Sequence, residues 1–125
     1  MAAVLNLWVR ADAEPTHTDD AASVTALIAH DPAAILVATV DDVVVGSIIA
    51  AWDGWRGSVY RLAVDPSARR GGLGRQLLDA AQERLATAGA ARLQSIVVAS
   101  DAQAMAFWAA SDWAQQSDRA RFVRG

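Results

Sequence analysis

The chain has 125 residues, a formal net charge of −3, and 54% hydrophobic residues, enough for the core of a single domain spanning 1–125. It contains no cysteine, which excludes disulfides, thiolate metal sites and a cysteine nucleophile, and its two histidines, His17 and His30, are too scattered for a metal cluster. All 11 basic residues are arginine, so Schiff-base and P-loop lysine mechanisms are excluded as well. No apolar run approaches the roughly 20 residues of a membrane span, and the N-terminus lacks the basic region of a signal peptide, so a soluble, cytoplasmic protein is expected. The acidic balance gives no general reason to bind nucleic acid or membrane.

In chain order, Val4, Leu5, Trp8 and Val9 have helical spacing and predict a first helix ended by Glu14-Pro15. Thr18-Asp19-Asp20 caps a second helix carrying Val24, Leu27 and Ile28, closed by Asp31-Pro32. The β-rich runs 34–40 and 43–52 are separated by Asp41-Asp42, a two-residue hairpin turn, and should pair antiparallel. "WDGWRG" (52–57) forms another turn before a third strand, 58–64. After a stretch rich in glycine, Leu73, Leu77, Leu78, Ala81 and Leu85 make a strongly amphipathic helix ending at Gly89. "RLQSIVVA" (92–99) reads as a buried strand, making Ser58–Ala99 a β–loop–α–β unit with parallel strands. Asp101 caps a helix with Ala104, Phe107 and Trp108, and "RFVR" (121–124) offers a last short strand. The sum is an α/β (α+β) domain with a mixed central sheet.

The glycine stretch, "ARRGGLGRQLL" (68–78), carries the chemistry. A helix start has unpaired N–H groups and the positive end of the macrodipole, so it can hold an anion if side chains stay out of the way. Gly71, Gly72 and Gly74 clear that path, and Arg69, Arg70 or Arg75 can add charge-assisted contacts to a phosphate or pyrophosphate lying on the amides of 70–75. The alternatives are a tight loop needing positive φ and a solvated charge run. The Walker and dinucleotide patterns both fail here.

The segment does match R-x-x-G-x-G, as Arg69-Arg70-Gly71-Gly72-Leu73-Gly74 after a strand ending "LAVDP". There the sequence resembles the GCN5-related N-acetyltransferases, and the order of elements resembles that family's over nearly the whole chain. The resemblance implies acetyl-CoA as co-substrate and no metal. Its pyrophosphate is expected on residues Arg69 through Arg75, including Leu73, and its pantetheine arm along Leu62, Ala63 and Val64. It also implies direct attack of an amine on the thioester, with an oxyanion stabilised by a strand N–H near Leu62. Asp53 is the candidate base by position, although "WDGWRG" more readily uses it as a turn-former.

Three departures from the family pattern stand out. Where the family keeps "N-x-x-A-x-x-F-Y", this chain has "DAQAMAFW", so Trp108 replaces the usual acidic tyrosine and Tyr60, the chain's one tyrosine, becomes the candidate acid. The family's "G-F" is here Asp112-Trp113. The family's N-terminal strand is missing, which leaves strand 34–40 without an outer neighbour and suggests a homodimer or a cover from the first helix. Trp52, Trp55, Trp108 and Trp113 are candidates to line an amine-acceptor site, with core packing as the alternative. Two functions follow: an acetyltransferase acting on an amine of a small molecule or protein, or a non-catalytic acyl-CoA-binding module.

Overall fold

The computed structural model describes residues 1–11 and 19–125, with Arg70 described by its backbone alone. The expectations for Glu14-Pro15, His17 and Thr18 lie outside the described residues. Helix α1 (Ala2–Arg10) buries Val4, Leu7 and Trp8. Helix α2 (Ala21–His30) starts at Asp20, whose side chain accepts the Ser23 N–H as the N-cap.

The strands β1 (Ile35–Val40), β2 (Val43–Trp52), β3 (Gly57–Val64) and β4 (Leu93–Ser95) form one sheet in that order. β1, β2 and β3 are antiparallel neighbours and β4 joins β3 in parallel, as expected of the β–loop–α–β unit. The β1–β2 turn is built from Asp41 and Asp42 at φ 50° and 64°, both left-handed as a two-residue hairpin of this twist requires. β1 is the edge strand, and α1 packs chiefly on β2 and β3, so the first helix does not supply the expected edge cover.

Helix α3 (Leu73–Ala88) buries Leu77, Leu78, Ala81 and Leu85 against Ile48, Ala50 and Val59 on one face of the sheet. It ends at Gly89, φ 108°. On the other face, Val4, Leu7 and Trp8 of α1 and Val24 of α2 cover Ile49 and Ala63. Helix α4 (Ala102–Ala110), capped by Asp101, packs beside α3. No helix among the described residues is long and apolar enough to cross a membrane.

Two expected strands change. The buried strand at 92–99 shrinks to Leu93–Ser95, and Ile96 is 59% exposed. Residues 121–124 form no strand, and Phe122 is 93% exposed. An apolar run becomes a strand only where a neighbour offers its backbone, and the path of β3 explains why β4 loses its neighbour.

Candidate active site

β3 and β4 pair only at Gly57–Leu93, Ser58–Gln94 and Val59–Ser95. The Ser95 hydroxyl donates to the Val59 carbonyl at 2.9 Å, marking the last point of contact. Beyond it the β4-side edge of Tyr60–Val64 has no strand partner among the described residues. This leaves a strand edge of backbone donors and acceptors, the form that captures an extended ligand.

Within that edge lies a β-bulge. Ser47 of β2 pairs with Ala63 and Ile49 with Tyr60, so Arg61 and Leu62 stand opposite the single residue Ile48. Arg61 takes up the distortion with φ 53°, a left-handed conformation that L residues other than glycine seldom adopt. The bulge shifts the alternation by one residue. Val59 and Leu62 both pack into the α3 side, although three apart, while Ala63 joins the α1 side.

β3 then runs into a 3-10 turn, Pro66–Gly71, capped by Asp65. Asp65 accepts the Ser67 N–H at 3.0 Å, the Ser67 hydroxyl at 2.8 Å and Arg10 Nε–H at 2.9 Å. These donors, led by the Ser67 amide, hold its carboxyl at about 2, well below the ordinary carboxylate value. Gly72 follows at φ 74° and begins α3 with no side-chain cap and no acidic residue in the first turn. The N–H groups of that turn are therefore available to an outside acceptor.

The three glycines do different work. A Cβ at Gly71 or Gly72 would meet nothing within 4 Å, so open space lies before the helix start. A Cβ at Gly74 would come within 3.3 Å of the Phe107 ring and 3.8 Å of Val64. Gly74 thus makes room for Phe107 of α4 against the first turn of α3, whereas Gly71 and Gly72 keep a surface bare.

The predicted side chains divide in the same way. Arg69 is turned to structural use: Nε–H donates to the Val64 carbonyl at 3.1 Å and Nη2–H to the Ala11 carbonyl at 2.9 Å, tying the turn to the end of α1. Arg75, in the first turn of α3, forms an exposed pair with Asp79 at 3.1 Å. The side-chain expectation for Arg70 lies outside the described residues. Leu62, Ala63, Val64 and Leu73 supply the backbone of the strand edge and helix start.

Asp53 does not join this site. It lies beyond the other end of β3, whose first residue, Gly57, is about 17 Å from Leu62 at about 3.3 Å per strand residue, and its carboxylate accepts the Trp55 and Arg56 N–H groups at 2.7 Å each. Those bonds, Arg56 first, lower its pKa and weaken it as a base. The same end holds Trp52, which packs on the α3-side core, and Trp55, 70% exposed under the Arg56 guanidinium at 4.3 Å. Trp108 packs edge-on between Phe107 and Trp113, at 5.8 and 4.7 Å, and Trp113 Nε1–H donates to Gln82 at 2.9 Å. Tyr60 is 46% exposed on β3, next to the bulge.

Sequence reasoning missed the bulge and the residues gathered at it: Arg61, Asp19, Trp8 and Ser47. The available signal was an arginine inside the otherwise apolar strand "SVYRLAV".

A parallel β–turn–α–β unit with a bulged, unpaired strand edge running into a bare helix start has the form of a site for an extended ligand ending in an anion. Comparison with known proteins identifies the family. The sequence model of the acetyltransferase (GNAT) family matches residues 1–112. An acetyltransferase of Pectobacterium atrosepticum is 34% identical over 95 residues, 76% of this chain and 67% of that protein. Among solved structures, the ribosomal-protein-S18-alanine N-acetyltransferase of Escherichia coli matches with TM-score 0.67 and 26% identity, over 89% of this chain and 69% of that one. The aminoglycoside N-acetyltransferase AAC(6')-Iy, bound to a bisubstrate CoA analogue, matches with TM-score 0.71 and 21% identity, over 97% and 90%. The chain belongs to the acetyltransferase (GNAT) family, the acetyl-CoA-dependent N-acetyltransferases. It spans about two thirds of the length of the curated relatives it matches.

Proposed function

We propose that this chain transfers the acetyl group of acetyl-CoA to a primary amine of a small molecule or protein by direct attack. The observation that carries the reading is the bulged, unpaired edge of β3 leading into a turn that opens on unobstructed space at Gly71 and Gly72. It fits an extended pantetheine ending in a pyrophosphate, and AAC(6')-Iy holds a CoA derivative on the same fold.

In this reading the amides of Gly71–Arg75 receive the pyrophosphate, helped by the positive end of α3, and Leu62–Val64 align the pantetheine through the backbone. Acetyl-CoA supplies the activated thioester carbonyl. The Leu62 N–H, one of the two amides taken out of register by the bulge, stabilises negative charge developing on the carbonyl oxygen. The new N–C bond forms as the C–S bond breaks, the amine loses its proton to water, and the Tyr60 hydroxyl gives a proton to the departing sulfur. Asp53 has no part in this scheme, and its low pKa and distance are the reasons. The acceptors of the neighbours, an aminoglycoside in one name and a protein alanine in the other, are both amines and bracket the class to try.

Acetyl-CoA at a hundredfold excess over its dissociation constant should stabilise the fold by about 2.7 kcal/mol, with NAD and ATP far less effective. Thiol release from acetyl-CoA should then follow addition of neamine or of an alanine-initiated peptide. Equal stabilisation by all three nucleotides contradicts the cofactor reading. Trp108, which offers no acidic hydroxyl, favours a second reading, a non-catalytic acyl-CoA-binding module. Binding without thiol release across a broad amine panel selects it.

A further inference from the structure

We infer that Arg61 and Asp19 are positioning residues that fix the bulge of β3 and so set the aim of the Leu62 amide; this rests on the reading of that amide as the donor to the thioester carbonyl. Arg61 sits in the distortion itself at φ 53°, a conformation that surrounding structure must impose on a residue with a Cβ. What imposes it is a ring of contacts. The Arg61 guanidinium meets Asp19 as a two-pronged pair, Nε–H to Oδ1 at 2.9 Å and Nη2–H to Oδ2. Both side chains are largely buried, at 14% and 17% exposure, so water screens the pair little. The Arg61 guanidinium carbon also lies 5.5 Å from the centroid of the buried Trp8 ring, within cation–π range. Trp8 Nε1–H donates at 2.9 Å to the Ser47 hydroxyl, which is fully buried, and Ser47 is the β2 residue in register with Ala63.

The circuit therefore closes: Arg61 to Trp8, Trp8 to Ser47, Ser47 across the sheet to Ala63, and Ala63 back along the chain through Leu62 to Arg61. Leu62 is the one residue inside the circuit whose side chain packs on the opposite, α3, side of the sheet. Asp19 anchors it just before α2, on the residue preceding the Asp20 cap. Loosening any link lets the bulge relax or slide by a residue, which turns the Leu62 amide off its aim at the thioester carbonyl while leaving the glycine turn untouched. An arginine is suited to this because its planar fork matches a carboxylate and its face matches an indole, which a lysine does only in part.

The test compares the native chain with Asp19→Asn, Arg61→Met and Arg61→Lys. Infrared difference spectra of acetyl-CoA labelled with carbon-13 at the carbonyl read the amide's hydrogen bond directly. The native protein should shift the carbonyl band to lower frequency, and it should prefer acetyl-CoA to CoA. Asp19→Asn and Arg61→Met should lose most of that shift and about fivefold of that preference, the worth of one ordinary hydrogen bond, over and above any loss of affinity they share for CoA itself. Arg61→Lys should recover part of both. With a working acceptor, kcat should fall on the order of tenfold to a hundredfold, more than the KM for acetyl-CoA changes. If the native protein shifts the band and all variants shift it equally, the positioning role is wrong and the Leu62 reading stands. If native protein binds acetyl-CoA with no shift, the Leu62 reading fails and this inference fails with it. Should Arg61→Met not fold, Asp19→Asn, which keeps size and loses only charge, decides the matter alone.

Discussion

The two ends of β3 are written in nearly the same alphabet and behave differently. "WDGWRG" before it and "ARRGGLG" after it both mix glycine with arginine, and each has an aspartate close by, Asp53 within the first and Asp65 three residues ahead of the second. At the first end the turn is tied to itself: Asp53 takes the N–H groups of its own turn, Arg56 lies over Trp55, and Gly57 is required by packing because a Cβ there would fall 2.7 Å from Leu93 and 2.8 Å from Leu85. At the second end Asp65 and Arg69 are spent on holding the turn, and the helix start beyond it keeps its amides and its empty Cβ positions. Glycine next to arginine signals a ligand only where donors are left over. The feature to look for is the absence of a cap.

The largest contrast should come from glycine substitutions at the two ends. Gly57→Val forces Leu85 and Leu93 aside and should cost about 1–3 kcal/mol of stability, seen as a fall in Tm of several degrees, with the residual folded protein still binding acetyl-CoA. Gly71→Leu should do the reverse. Its side chain enters open space, so Tm should hold within a few degrees while acetyl-CoA affinity drops at least tenfold in calorimetry. A Gly71→Leu protein of native affinity breaks the contrast.

The two aspartates sharpen it. Both carboxyls have pKa values lowered in the folded chain, Asp65 to about 2, so each stabilises the fold above the ordinary carboxylate range and loses that contribution as pH falls through its folded value. Acid unfolding of Asp65→Asn should therefore differ from native near neutrality and converge with it toward pH 2. Asp65→Asn should also weaken acetyl-CoA binding by loosening the turn, whereas Asp53→Asn should leave binding unchanged. The smallest effect belongs to Arg56→Ala, whose exposed stacking on Trp55 is worth about 0.5–1 kcal/mol and whose loss should leave affinity and turnover alone.

Local pattern carried most of the fold. The α3 stripe, the Asp41-Asp42 hairpin and the Asp101 cap each depend on neighbours a few residues away, so spacing and residue type suffice. β4 was legible only in part, since its length is set by how far β3 runs alongside, and the two strands part just before the bulge. The site splits likewise. The bare helix start is written in consecutive glycines, but the Arg61–Asp19 pair spans 42 positions and the Trp8–Ser47 bond 39, and no local spacing announces either. Gly74 has a further reason that spacing does not announce, since the ring of Phe107 that it makes room for comes from another helix.

Titrating the nitrogen-15-labelled chain with acetyl-CoA, while following backbone amide shifts, tests the comparison at both ends in one experiment. The amides of Tyr60–Val64 and Gly71–Arg75 should move together and saturate at one dissociation constant, with those of Asp53–Gly57 unmoved. Largest shifts at Asp53–Gly57, with Gly71–Arg75 silent, would contradict the assignment of the cofactor to the uncapped end of β3.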